Sequence, residues 1–396
     1  IANNRKYWAA QIDTTGTTLN GSSNVGVFFK GWASLDGGKQ LKHGTEPSTM
    51  TASSVFSMTL NGNNNTAIYF DDSNSGQKFI LNGTSTITSS SASGTSSSNV
   101  LIYGKNGDID LKNTITLKPE GNKDVAIYNN RATISTAATI TGTANGDDGS
   151  TAILSESSNM TENTGTINLT GKKVKGIVAS NGSTIKNEGD ITVSGQESAA
   201  VIANNGTINM PSSATSTKTP TISVTGKSGL GLYATSNGII NATKTTVNAS
   251  GGAINVYKNG GNITLKNSTL NTNADSLAFM TGGSGTIDFT STDETTANIN
   301  SKGTAFYYDG SATAGATGYA DFSKSNIQSW ASGSFNNLNK LKLNMTASDS
   351  RMFIASQVKM NLSDTNLTSA NVAALFGSNS PQITGVTDYK TFLLYK

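Results

Sequence analysis

A short segment recurs along this chain: a small residue, then two apolar ones, often ending in Tyr. It stands as Ala67-Ile68-Tyr69, Leu101-Ile102-Tyr103, Ala126-Ile127-Tyr128, Ala152-Ile153-Leu154, Gly176-Ile177-Val178, Ala200-Val201-Ile202 and Gly231-Leu232-Tyr233. Degenerate copies follow at Asn255-Val256-Tyr257, Ala278-Phe279-Met280, Ala305-Phe306-Tyr307 and Met352-Phe353-Ile354. Successive copies start 34, 25, 26, 24, 24, 31, 24, 23, 27 and 47 residues apart, so seven of the ten steps lie between 23 and 27. A fixed period of that length is the mark of a stacked repeat.

Two further strand signals fill each period. One reads like Thr207-Ile208-Asn209-Met210 or Asn262-Ile263-Thr264-Leu265, the other like Thr114-Ile115-Thr116-Leu117 or Thr166-Ile167-Asn168-Leu169. Apolar residues alternate with Thr or Asn, the period of two of a half-buried strand. Gly, Asn and Asp punctuate between strands, where corners need positive backbone angles. The pattern predicts an all-β fold: a right-handed parallel β-helix (solenoid) with three short strands per coil of about 24 residues, a few loop insertions and short helices. Composition agrees. Inward side chains of such a coil stack on their counterparts about 4.8 Å away, which suits small and β-branched residues. A thin core of this kind fits a chain of 396 residues with 35% hydrophobic and only 13% charged residues.

Deviations from the period mark the segments. Residues 1–60 read as irregular N-terminal coils with an insertion, although Val25-Gly26-Val27-Phe28-Phe29 resembles a further copy. Residues 61–304 read as regular β-helix, interrupted by polar loops at 89–98 and at 211–220. Pro211 and Pro220 bound the second loop and cannot donate to a ladder. Residues 305–352 span the widest step, as either a degenerate coil or an aromatic-rich excursion. Within it, 334–343 is expected to be a short helix with Phe335, Leu338 and Leu341 on one face. Residues 353–396 read as continuing, truncated β-helix with a capped short helix over 369–376. Residues 1–20 mix charged and polar side chains throughout, and the chain is expected to be a piece of a longer protein.

The residues offer little chemistry. There is no Cys, and His43 is the one imidazole, in a polar turn setting. Thiol nucleophiles, Cys-based metal sites and two-His zinc motifs are therefore excluded. No G-x-S-x-G elbow occurs. The adjacent acids Asp71-Asp72, Asp147-Asp148 and Asp293-Glu294 are neighbours in sequence. On a strand they would point to opposite faces, whereas glycosidase carboxylates face one sugar about 5–10 Å apart. They read as turn residues. A calcium-repeat-like run at Gly282-Gly283-Ser284-Gly285 carries Ile287 in the acidic position, and Thr225-Gly226-Lys227-Ser228 has Thr221 where a phosphate loop needs its first Gly. No catalytic residue, metal or cofactor is assigned, and the chain is expected not to be an enzyme. The net charge is only +3, and Arg occurs only at positions 5, 131 and 351. That argues against nucleic acid as partner. No stretch approaches the roughly 18 apolar residues of a membrane helix.

What remains is surface. Aromatic residues outside the regular coils are candidates for contact, since aromatics anchor interfaces and function concentrates on interrupting loops. These are Trp32, Tyr319, Phe322, Trp330 and Phe335.

The phrases Lys186-Asn187-Glu188-Gly189-Asp190-Ile191-Thr192-Val193-Ser194-Gly195 and Asn204-Asn205-Gly206-Thr207-Ile208-Asn209, and the Gly-Ile-Val-Ala cadence at 176–179, resemble bacterial autotransporter (type V) passenger domains. With Asn abundant and Lys far exceeding Arg, the chain is most similar to the large outer-membrane adhesins of fusobacteria, from about residue 60 onward. The resemblance implies a monomeric passenger on the bacterial cell surface. It would be held to the outer membrane through a C-terminal barrel absent from this chain, and would attach to host-cell protein or glycan or to other bacteria. Absence of Cys agrees, since a disulfide-closed loop would obstruct passage through a narrow barrel. A purely structural spacer is the alternative. A β-helical polysaccharide lyase or hydrolase is a third reading, for which no acidic cluster is visible.

Overall fold

The structure, a computed structural model, describes residues 14–30, 49–52, 55–71, 78–90, 97–157, 159–213, 215–311, 318–360 and 371–394. The chain divides into two compact units, Ile1–Ile191 and Thr192–Lys396. In the first, one coil runs through Ile115–Pro119, Val125–Asn130 and Thr133–Thr136, and the next through Thr139–Thr143, Thr151–Glu156 and Met160–Asn163. Each strand pairs in parallel with its counterpart: Leu117 with Ile140, Ile127 with Ile153, Ile134 with Thr161. In the second unit, Thr246–Ser250, Ile254–Asn259 and Asn262–Lys266 are followed by Thr269–Thr272, Leu277–Gly282 and Ile287–Asp288. Val247 pairs with Leu270, Val256 with Phe279 and Ile263 with Ile287. Each unit is thus a parallel β-solenoid with three strands per turn. We number the three sheets in the order the chain meets them.

All eleven repeat segments lie in strands of the second sheet. Val25–Lys30 joins them, with Val27 on Ile68. The small first residue of the repeat has a local cause. These strands bury their second, third and fifth residues, as in Thr66–Asp71, Val125–Asn130 and Leu230–Thr235. Two successive inward side chains break strict alternation, and the ladder skips the second residue, as between Val125↔Thr151 and Ile127↔Ile153. The chain bends there and leaves little room. A Cβ built on Gly231 would lie 2.5 Å from the Asn255 carbonyl oxygen and 2.9 Å from Val247.

The corner between first and second sheets is built the same way in coil after coil. A residue with positive φ comes first: Asn64 at 55°, Lys123 at 62°, Lys173 at 56°, Ser228 at 59°, Lys302 at 58°. Its successor is buried, as at Asn65, Asp124 and Val174. Left-handed backbone costs a non-glycine residue about 1 kcal/mol or more. Ser228 is exposed, and its backbone N–H, which glycine would keep, donates to the Gly252 carbonyl. Ser228→Gly should therefore raise stability by about 0.5 kcal/mol, after the entropy glycine adds to the unfolded chain. A urea titration would show it as a raised midpoint with an unchanged slope.

Residues 305–352 form one coil carrying an excursion. From the second-sheet strand Thr304–Asp309 the chain leaves the repeat and passes through helix α1 (Lys324–Ser334). It re-enters the third sheet at Phe335–Asn336, which pairs with Ile287–Asp288. The Ser323 hydroxyl caps α1 by accepting from the Asn326 N–H at 3.4 Å. This corrects the sequence expectation of a helix over 334–343. Asn337 turns the chain at φ 52°, Leu338–Lys340 is a single 3-10 turn, and Leu341–Met345 is a strand burying Leu341, Leu343 and Met345. The period of two in that stretch overrides the short Phe-Leu-Leu helical spacing. The second expected helix is present as α2 (Val372–Phe376), with Asn371 at its N-cap position and no side-chain cap bond.

The two helices close the core around aromatic rings. Phe306 contacts Phe279, Phe335, Phe353, Phe376 and Trp330 at centroid distances of 5.5–5.9 Å. Tyr308 meets Phe322 at 5.8 Å and Trp330 at 5.4 Å.

Candidate functional site

The excursion does not present its aromatics as a surface. Phe322 is 2% and Phe335 1% exposed, so both are core residues. Neither can meet a ligand without unfolding, which corrects their assignment as contact candidates. Trp330 is half-buried edge-on against Phe335, and its Nε1 donates to the Thr281 hydroxyl at 3.1 Å. Tyr319 alone of the described candidates is well exposed, at 57%. Trp32, with His43, lies outside the described residues.

The acids show how charge is used. Asp148 pairs with Lys123 at 3.2 Å and with Lys173 at 3.6 Å, and Asp147 pairs with Lys172 at 3.1 Å. Asp293 pairs with Lys266 and Glu294 with Lys342. The Lys123 hydrogen bond holds the Asp148 carboxyl below its ordinary range, and the Lys342 hydrogen bond does the same for Glu294. A general acid needs the opposite shift. Asp71 is bound to Lys105 and Asn106; Asp72 lies outside the described residues. Among the described residues, no group of three or more His, Cys, Asp or Glu side chains is placed to hold a metal ion.

Two buried ionisable groups stand apart. Asp124 is fully buried and accepts from the Asn99 N–H at 2.7 Å, the Gly121 N–H at 2.9 Å and the Ser97 hydroxyl. It ends a stack in which Asn65 Oδ1 accepts the Asn24 N–H and Asn99 Oδ1 the Asn65 N–H. Burial pushes the Asp124 carboxyl up, and its hydrogen bonds offset part of that. Lys258 is 2% exposed, and its amine donates to the Gly283 carbonyl at 2.8 Å. Burial pushes the Lys258 amine down. Its unfolded form therefore binds the proton more tightly, and stability should rise with pH through the window just below the ordinary lysine range. Lys258→Met should abolish that rise, as followed by thermal unfolding across alkaline pH. An unchanged slope would assign the rise to another group.

The surface feature that sets this molecule apart lies on the second sheet. Its fourth strand residue points outward, and is apolar or aromatic, in each of the twelve second-sheet strands from Val25–Lys30 to Arg351–Ser356. In the first unit the column is Phe28, Tyr69, Tyr103, Tyr128, Leu154 and Val178, adjacent members being register partners. In the second it is Ile202, Tyr233, Tyr257, Met280, Tyr307 and Ile354. Phe28 is 52% exposed and the others are half-buried. The first strand position is apolar in some coils, as at Val25 and Val125 in the first unit and Leu230 and Ile254 in the second, and polar or charged in others, as at Thr66, Lys175 and Arg351. Outward positions of the first sheet are Thr, Ser, Asn or Lys instead, as in Ile115–Pro119 and Thr246–Ser250. In the second unit its Asn248, Asn271, Asn298 and Asn344 amides hydrogen-bond from coil to coil at 2.8–3.0 Å. The third sheet carries only scattered outward apolar residues, such as Ile80, Met160 and Ile239.

The rings of the column stack on one another. Centroids lie 5.0 Å apart for Phe28–Tyr69, 4.7 Å for Tyr69–Tyr103, 4.9 Å for Tyr103–Tyr128 and 5.1 Å for Tyr233–Tyr257. Each ring packs against a neighbour in the column, Tyr233 and Tyr257 stacked at an interplanar angle of 21° and the first-unit pairs tilted by 32–59°. Sugar stacking needs a free ring face, so the column suits a protein surface better than a glycan. In the first unit the hydroxyls are used internally: Tyr128 donates to Glu156 at 2.7 Å, and Asn130 donates to Tyr103 at 3.2 Å. Desolvation, with the Glu156 hydrogen bond behind it, pushes the Tyr128 hydroxyl well up.

The sequence carried this signal. The tyrosines closing the repeat at positions 69, 103, 128, 233, 257 and 307 were legible as part of the anchor. Strand parity counted from the inward Ile or Val before them would have turned them outward. Comparison with protein-family profiles, with curated proteins and with solved structures finds no match to this chain. Fold and site are therefore read from the chain itself, which is a parallel β-solenoid.

Proposed function

We propose that the chain is a non-catalytic contact segment of an autotransporter adhesin passenger, displayed at the bacterial surface. It attaches to protein surfaces through the outward column of its second sheet. The observation that supports this reading is the asymmetry of the coil: the second sheet carries an apolar and aromatic column on its solvent side, while the outward positions of the first are polar. A continuous column of half-exposed apolar and aromatic side chains on a solenoid is the kind of surface that marks an interaction site. The passenger setting rests on the Asn-Gly-x-Ile phrases and the lack of Cys.

The test is binding of the purified chain to host cells and to co-resident bacteria, beside Tyr233→Ser/Tyr257→Ser. Both side chains face outward, so circular dichroism should stay the same. Binding should weaken at least about tenfold, the effect of removing one interface anchor. Equal binding by both proteins would remove the column from the account. A spacer would bind nothing in either form.

A further inference from the structure

We infer that the partner of the second unit's column is a second copy of this chain, laid alongside in parallel; this rests on the column being a contact surface. Two observations carry it.

The first is spacing. The column repeats at the separation of adjacent parallel strands, as in the 5.1 Å between the Tyr233 and Tyr257 rings. A surface meeting each member in the same way must carry the same repeat. A second solenoid does so at every coil, whereas an ordinary protein surface matches one or two positions. The hydroxyls suit such a neighbour: Tyr233 and Tyr257 make no side-chain hydrogen bond among the described residues, although Tyr257 is desolvated enough to push its hydroxyl up.

The second is charge. At the leading edge of the sheet, where strands begin, stand Arg351 and Lys390. At the trailing edge, one coil before Arg351, stands Asp309. Within one chain these edges are separated by the width of a strand, five residues or about 16 Å. A two-fold axis along the stacking direction exchanges the edges. It brings the leading-edge cations of one copy within a strand spacing of the trailing-edge acid of the other. The interface is then self-complementary, as an isologous contact must be. An antiparallel arrangement instead sets leading edge against leading edge and presses Arg351 and Lys390 onto Leu230 and Ile254. Arg351 keeps Asp275 beside it at 4.0 Å in either arrangement, but the antiparallel one still sets Lys390 on apolar surface, which costs desolvation of its charge. This pairing replaces the monomer expected from the sequence.

Sedimentation equilibrium of the purified chain over a wide concentration range tests the inference, with the cell-binding assay run on the same samples. The expected result is a reversible dimer that Tyr233→Ser/Tyr257→Ser weakens at least about tenfold. Asp309→Lys should weaken it too, and Asp309→Lys/Arg351→Glu should restore it, since the exchange recreates the pair across the axis. A chain that stays monomeric at its solubility limit but binds cells through the column would overturn the second-copy inference and leave the adhesive reading standing. A dimer indifferent to the column variants would overturn it as well. A monomer that binds no cells would remove both.

Discussion

Phe306→Ala is expected to cost about 4 kcal/mol, the middle of the range for a buried phenylalanine. Phe306 is fully buried and touches rings from the second-sheet strands on either side of its own, from the third sheet and from both helices. Removing it leaves a cavity that stacked strands cannot collapse to fill, because their spacing is fixed by backbone hydrogen bonds. The effect should be concentrated in the second unit. Amide exchange of Leu277–Gly282, Thr304–Asp309 and Arg351–Ser356 should accelerate, while Val125–Asn130 keeps its protection. Phe306→Leu should recover most of the loss. Uniform acceleration across both units would show that the solenoid unfolds as one cooperative body.

Asp124→Ala is the second large effect, about 3 kcal/mol. The substitution leaves the Asn99 and Gly121 N–H groups and the Ser97 hydroxyl buried without their acceptor, each costing about 1–3 kcal/mol before relaxation. Asp124→Asn keeps one oxygen and loses the other, and should fall between. The pH dependence has a definite sign. Burial raises the folded-state carboxyl above its unfolded value, so the native state holds the proton more tightly. Asp124 then favours folding most at acid pH, and that contribution fades as pH rises through the raised value. The stability gap between wild type and Asp124→Ala should therefore widen on acidification from neutrality. A gap that narrows would mean that the three donors outweigh burial.

Much of the fold was legible because a solenoid writes its period into the chain. The repeat segments, including the outlying Val25–Lys30, fall on one sheet because each coil poses the same packing problem at the same bend. The 334–343 stretch was misread because Phe335, Leu338 and Leu341 have helical spacing over too few residues to outweigh the alternation of Leu341, Leu343 and Met345. The candidate site was harder for a related reason. Apolar residues in a run read as core, and Tyr after Ile or Val looks like more of the same. The skipped ladder position reverses parity: two inward residues in succession put the next one outside. The excursion aromatics misled in the opposite direction. Phe322 and Phe335 looked available because they stood outside the period, but a coil that opens to admit a helix needs large side chains to refill its core.

The most direct test of the account asks which way the repeat faces. The chain has no Cys, so single substitutions Tyr233→Cys and Tyr257→Cys, beside Leu232→Cys and Val256→Cys, can be compared for maleimide labelling of the native protein. The account predicts rapid labelling at 233 and 257. It predicts labelling at 232 and 256 only after denaturant is added. Protection at 233 and 257, or equal labelling at all four positions, would contradict the outward column and the contact surface built on it.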